Sequence, residues 1–139
     1  MVTISQKHLD QIIFQAQAEL PNECCGMLAG TVQDGIGDIA EIYPLTNIDH
    51  SPEHFSLDPK EQFQVLRTAR ECGLILLGNY HSHPETPSRP SLEDIRLAHD
   101  PKAIYMIVSL MDKIPVLKCF SIQNGEYTEL PLIIKQSKE

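Results

Sequence analysis

Tryptophan is absent from this chain of 139 residues, only 6% of it is aromatic, and 7 glycines leave no room for a collagen-like or glycine-rich low-complexity segment. Basic charge is scarce as well. Eleven Lys and Arg against nineteen Asp and Glu give a formal charge of −8, the wrong sign for a protein held to nucleic acid or anionic lipid by phosphate contacts. No apolar run approaches the length of a membrane span, Leu74-Ile-Leu-Leu being a short one, so neither nucleic acid nor a bilayer is an expected partner. The first ten residues lack the basic and apolar regions of a secretory signal, which points to a cytoplasmic protein. Four cysteines, Cys24, Cys25, Cys72 and Cys119, form no C-x-x-C pair. They read as reduced, buried thiols rather than as a disulfide framework or a thiolate metal site.

What is present is one domain's length of amphipathic pattern, expected to span residues 1–139 without an internal repeat. Leu9, Ile12, Ile13, Ala16 and Leu20 recur at helical spacing and predict a helix over 5–20 that ends before Pro21. The apolar stretch from Cys24 to Val32 and the stretch from Ile39 to Leu45 flank a turn at Gln33-Asp-Gly and predict a hairpin. Residues 46–59 are rich in Asn, Asp, Ser and Pro and read as a long surface loop with a short extended piece at His54-Phe-Ser-Leu. Asp58 as N-cap, Pro59 in the first turn and Glu61 as capping-box partner open a second helix, which Phe63, Leu66, Arg70 and Cys72 carry to Gly73. A strand over 74–83, a short helix from Ser91, and strands over 103–110, 115–122 and 127–134 complete a mixed sheet flanked by helices.

The chemistry is concentrated in His81-Ser-His-Pro-Glu-Thr-Pro-Ser-Arg-Pro-Ser-Leu-Glu-Asp94. Two histidines two apart on a strand share a face and can grip one ion, while Ser82 points away. Asp94, eleven residues after His83 at the start of a helix, can fold back as a third ligand. Two His and one Asp suit zinc, and three protein ligands leave a position open to water, whose pKa zinc lowers towards about 7. Taken alone, Ser91-Leu-Glu-Asp94 is also an ordinary capping box, and His-x-His alone is commonplace. The conjunction of both within fourteen residues favours a metal centre. His8, His50, His54 and His99 have no such company.

The run His81-Ser-His-Pro, six residues, then Ser91-Leu-Glu-Asp94 resembles without a gap the H-x-H-P-x(6)-S-x-x-D motif of the JAMM (MPN+) zinc metalloproteases. Upstream, Glu23-Cys-Cys-Gly-Met-Leu-Ala-Gly is similar to their E-x-x-G-x-L-x-G strand. The resemblance implies a cytidine-deaminase-like α/β/α sandwich around a central mixed β-sheet. It implies His81, His83 and Asp94 as ligands of one zinc ion, Glu23 as the general acid/base, and Ser91 as a stabiliser of the oxyanion. Read by itself, Glu23 is only a charge at a helix exit beside Pro21 and Asn22.

Members of this family hydrolyse the bond after the C-terminal Gly-Gly of ubiquitin or a ubiquitin-like protein. Only forty-five residues follow Asp94, so this chain resembles the compact prokaryotic type, whose implied partners are ubiquitin-like sulfur carriers. An extended tail pairing with an exposed strand edge is the expected mode of binding. Two alternatives belong to other classes: a non-catalytic scaffold of the same fold, and a zinc amidohydrolase acting on a small-molecule amide.

Overall fold

A computed structural model describes residues 1–136. Strand β1 (Val2–Ser5) runs directly into helix α1 (Gln6–Ala18), and the hairpin of β2 (Cys25–Gln33) and β3 (Ile36–Leu45) follows. Helix α2 (Pro59–Glu71), β4 (Ile75–His83) and the short α3 (Leu92–Leu97) carry the chain to β5 (Ile104–Ser109), β6 (Val116–Gln123), β7 (Glu126–Leu130) and β8 (Leu132–Lys135). The eight strands form one sheet in the order β7-β6-β5-β4-β2-β3-β1-β8. The β4–β5, β1–β3 and β1–β8 pairs are parallel and the others antiparallel, so the sheet is mixed, as the sequence leads one to expect.

Local chemistry accounts for the element ends. Ser5 caps α1 by accepting from the His8 amide, and Leu9, Ile12 and Ala16 form the helix's buried stripe. Both two-residue hairpin turns, Asp34-Gly35 and Asn124-Gly125, have φ between +52° and +78°, the left-handed geometry that matches strand twist. Asp58 caps α2 by accepting from Lys60, and Gly73 ends it at φ +74°. The interior of α2 departs from expectation. Val65 and Ala69 are its buried residues, while Phe63 and Leu66 face outward, and Glu61 accepts from the amide and hydroxyl of Thr46 rather than closing a capping box. The helix therefore lies on the sheet by small side chains and is tied to the preceding loop by a carboxylate.

The expected strand over 127–134 is two strands. At Pro131, which has no N–H to offer a ladder, the chain leaves β6 at one end of the sheet and joins β1 at the other. The Pro131 carbonyl accepts from the Val2 amide at 2.9 Å, so the sheet curls until its two outer strands are consecutive in the chain. The strand β1 is also absent from the sequence reading. Its four residues are too short a run to show a period, yet Val2 and Ile4 are fully buried.

Two apolar clusters cover the two faces. The larger joins Ile12 and Ala16 of α1 to Leu28, Tyr80, Met106 and Val108, and the smaller joins Val65 of α2 to Cys25 and Leu45. Helices on both faces of a mixed sheet make the expected sandwich. Alternation along β4 then sorts its last residues: Tyr80 packs in the α1 cluster and Ser82 accepts from the Cys24 amide, which turns His81 and His83 to the α2 side. Gly26, three residues after Glu23, is required here because a Cβ would lie 2.2 Å from the Tyr80 ring.

Candidate metal centre

The end of β4 delivers both imidazoles to one point. His81 Nε2 and His83 Nε2 lie 3.1 Å apart, and Asp94 Oδ2 lies 3.1 Å from the first and 3.2 Å from the second. These near-equal edges match a tetrahedral ion, since ligands held at about 2.0–2.2 Å from zinc stand about 3.3 Å from one another. The surrounding bonds aim lone pairs inward. The Pro87 carbonyl lies 2.9 Å from His83 Nδ1 and assigns the proton there, which leaves Nε2 as a donor to a metal. Asp94 accepts the Ser91 amide at 2.9 Å, and Ser91 Oγ accepts the Asp94 amide at 3.0 Å. The capping box and the candidate ligand set are thus one structure, the box holding the carboxylate where the histidines meet it. His81 is oriented differently, its ring stacked on Phe55 at 4.5 Å and its buried Nδ1 without a hydrogen-bond partner among the described residues.

Electrostatics agree with a site built for positive charge. Burial works to raise the Asp94 carboxyl, but the two imidazoles and the Ser91 amide hold it well below the usual carboxylate range. Burial works to lower His83, and Asp94 and the Pro87 carbonyl overcome it, so the net shift is upward. A buried cluster of two imidazoles and a carboxylate is the one candidate metal-binding group among the described residues.

Glu23 sits between the exit of α1 and the start of β2, beside this cluster. Its residue is 5% exposed, and among the described residues no hydrogen bond or ion pair engages its carboxylate. Burial pushes its pKa up to about 8, the Asp94 and Glu93 carboxylates adding to the effect and His83 opposing it. Glu23 lines a cleft of about 650 Å³ together with Pro21, Pro52, His83, Glu85 and Ser91. A second, narrower groove of about 290 Å³ opens beside His81 and Asp94, between Phe55, Ser56 and Leu57 on one side and Leu97 and Tyr105 on the other. A third groove, about 890 Å³ beside α1 at Phe14 and Pro44, includes none of these residues.

Adjacent thiols offer no competing nucleophile. Burial pushes Cys24 and Cys25 up to about 12, leaving both neutral at ordinary pH. Cys119 is buried as expected, whereas Cys72, at the C-cap of α2, is exposed.

The loop 46–57 contributes more than its sequence announces. His54 Nδ1 pairs with Glu93 Oε1 at 2.5 Å, so one of the histidines without sequence company ties the loop to α3. Asn47 is buried and bonded on all sides, and Phe55 is the ring against His81. Neither residue has a spacing that marks it; a polar residue buried in a loop is visible only once the loop is folded. Among the described residues the extended piece beside the cluster is at Leu57, which bridges Asn47 antiparallel, and not an edge of the sheet. β4 has β2 on one side and β5 on the other, and the sheet's edges are β7 and β8.

Comparisons with known proteins agree with this geometry. The family model for prokaryotic homologues of the JAB domain matches residues 5–123. The CysO-cysteine peptidase of Mycobacterium tuberculosis is 34% identical over 125 residues, spanning 89% of this chain and 84% of that protein. A desampylase of Haloferax volcanii is 34% identical over 95 residues, 68% of this chain and 67% of that protein. Among solved structures, a protein of Desulfitobacterium hafniense superposes with a TM-score of 0.92 at 44% identity, covering 100% of this chain and 96% of that one. A JAB1/MPN domain protein of Archaeoglobus fulgidus shares the fold, with a TM-score of 0.61 at 24% identity over 96% and 95% of the two chains.

Proposed function

The chain belongs to the family of prokaryotic homologues of the JAB domain, and from that premise we propose that it is a zinc peptidase that cleaves the bond after the C-terminal Gly-Gly of a ubiquitin-like or sulfur-carrier protein. The observation that carries the reading is the convergence of His81, His83 and Asp94 beside an unpartnered, buried Glu23 that faces the same cleft. Zinc held by the two Nε2 atoms and Asp94 Oδ2 would supply a Lewis acid for the scissile carbonyl and a water that is nucleophilic at neutral pH.

The protein's own groups do the rest. Glu23 takes the proton of the attacking water and returns it to the leaving nitrogen, and a carboxyl raised towards neutrality can both accept and donate it. Ser91 Oγ accepts from the Asp94 amide, which leaves its O–H free to donate to the oxyanion that develops on the carbonyl. Proton return fixes direction. The leaving amine must lie within reach of Glu23, hence in the wider cleft with Pro21, Pro52, Glu85 and Ser91. The Gly-Gly tail then enters by the narrow groove past Phe55 and Tyr105, where a segment without side chains fits best. With β4 interior to the sheet, the backbone partner for that tail is the loop segment 55–57 and not a sheet edge. Three buried, unbridged thiols support a reducing compartment such as the cytoplasm as the setting of the reaction.

The test compares wild type with Glu23→Gln on ubiquitin-like carriers extended beyond Gly-Gly, with metal analysis and mass spectrometry of the products. One zinc per chain in both proteins and cleavage after the last glycine, fast in wild type and reduced to a small residual rate in Glu23→Gln, is the expected result. Zinc in both with no carrier cut would refute the peptidase reading and direct attention to a scaffold or a small amide.

A further inference from the structure

We infer that Asn47 is a positioning residue for Glu23, and that its single amide locks the general base to the loop that packs on the metal ligands. The inference rests on the role assigned to Glu23 above. Glu23 precedes β2 and has no place in the sheet ladder, so its own backbone must be held by something else. The loop supplies both partners. The Glu23 amide donates to the Ser51 carbonyl at 2.8 Å, and the Glu23 carbonyl accepts from Asn47 Nδ2 at 3.1 Å.

Asn47 is 4% exposed, and its four bonding positions are all used. The same Nδ2 donates its second proton to the His54 carbonyl at 2.9 Å, while Oδ1 accepts from the amides of Asp49 at 3.0 Å and Ser56 at 3.2 Å. One side chain therefore joins the backbone of the base to the two residues that flank Phe55. Phe55 in turn stacks on His81, and His54 pairs with Glu93 beside Asp94. Through Asn47 the base and the ligand set are referred to one frame. That matters because no side chain bonds the Glu23 carboxylate among the described residues, so its aim rests on packing and on where its backbone is held. Misplacement of a reacting group by about an ångström lowers rates by on the order of a hundredfold.

The test uses Asn47→Ala and the isosteric Asn47→Asp, which retains the acceptor but turns carboxylate oxygen towards two carbonyls. Metal content, thermal melting, hydrogen exchange and carrier cleavage are measured for each, alone and combined with Glu23→Gln. At least one variant should melt cooperatively and hold one zinc per chain. In that variant kcat at saturating carrier should fall at least tenfold, by more than KM rises through the Ser56 contact, and exchange protection of the Glu23 amide should fall. On the Glu23→Gln background the same replacement should change the residual rate by less than twofold, because a residue acting through Glu23 has nothing further to lose. Wild-type kcat in both variants, or an equal loss of rate with and without the Glu23 carboxylate, would overturn the inference. So would loss of zinc or of cooperative melting in both, which would make Asn47 a support of the whole domain. Failure of wild type to cut any carrier is a separate outcome and refutes the peptidase reading instead.

Discussion

Relative to wild type, replacing Glu23 with Gln should make the metal-free protein more stable as pH rises, at the same time as it cuts turnover to a small residual rate. The carboxyl is held in the fold with a pKa of about 8, against 4.5 for the free side chain. Below about pH 4.5 both folded and unfolded chains carry its proton, and above about 8 neither does. Between those limits only the folded chain keeps it, so unfolding releases a proton and stability falls with rising pH. The slope for one such group is about 1.4 kcal/mol per pH unit, or about 3 kcal/mol between pH 5 and 7. Glutamine fills the same space without the ionisation, and this contribution vanishes. For a chain of this length the difference between the two proteins should grow by on the order of 10 °C in Tm over that interval. His83 and Asp94 also titrate, but they are present in both proteins and cancel in the comparison to first order. Calorimetry in the presence of a chelator at pH 5, 6, 7 and 8 makes the measurement. A Tm difference that stays constant across the series would show that burial does not hold the Glu23 proton and would refute the reasoning. Zinc should shrink the pH dependence, since a divalent cation nearby favours the carboxylate.

Two further outcomes are expected. Ser91→Ala removes both the α3 cap and the hydroxyl assigned to the oxyanion, so it should lower stability by about 0.5–2 kcal/mol and slow cleavage while zinc content stays at one per chain; wild-type kcat in this variant would remove Ser91 from the mechanism. The cleft assigned to the leaving amine is lined by Glu53 and Glu85 and by no Lys or Arg, so carriers with Lys after Gly-Gly should be cut several-fold faster than those with Asp, and Glu85→Lys should reverse the order. Equal rates for the two carriers at low salt would contradict the assignment of that cleft.

The amino-acid sequence by itself determined the elements whose signals are local. Ser5, Asp58 and Ser91 mark the three helix starts, Asp34-Gly35 and Asn124-Gly125 mark the two tight hairpins, and the alternation of β4 places His81 and His83 on one face. His81, His83 and Asp94 were legible for the same reason, since a strand end and the next helix start bring them together within fourteen residues. The place of Glu23 beside that cluster was suggested only by resemblance. Glu23 lies fifty-eight positions before His81, and no periodicity crosses that distance. Tertiary structure decided the rest through pairings that are not neighbours in the chain. Cys25 lies opposite His81 in the β2–β4 ladder, and that register carries Glu23 to the candidate metal cluster and buries it. Pro131 divides an apparently continuous strand because the sheet has curled enough to offer β1 as a new partner. Asn47 becomes a junction because its amide can meet the Glu23 and His54 carbonyls only after the loop has closed. A hydrogen-bonding side chain of this kind takes its meaning from where backbone groups are left unpaired, and that is fixed when the sheet forms.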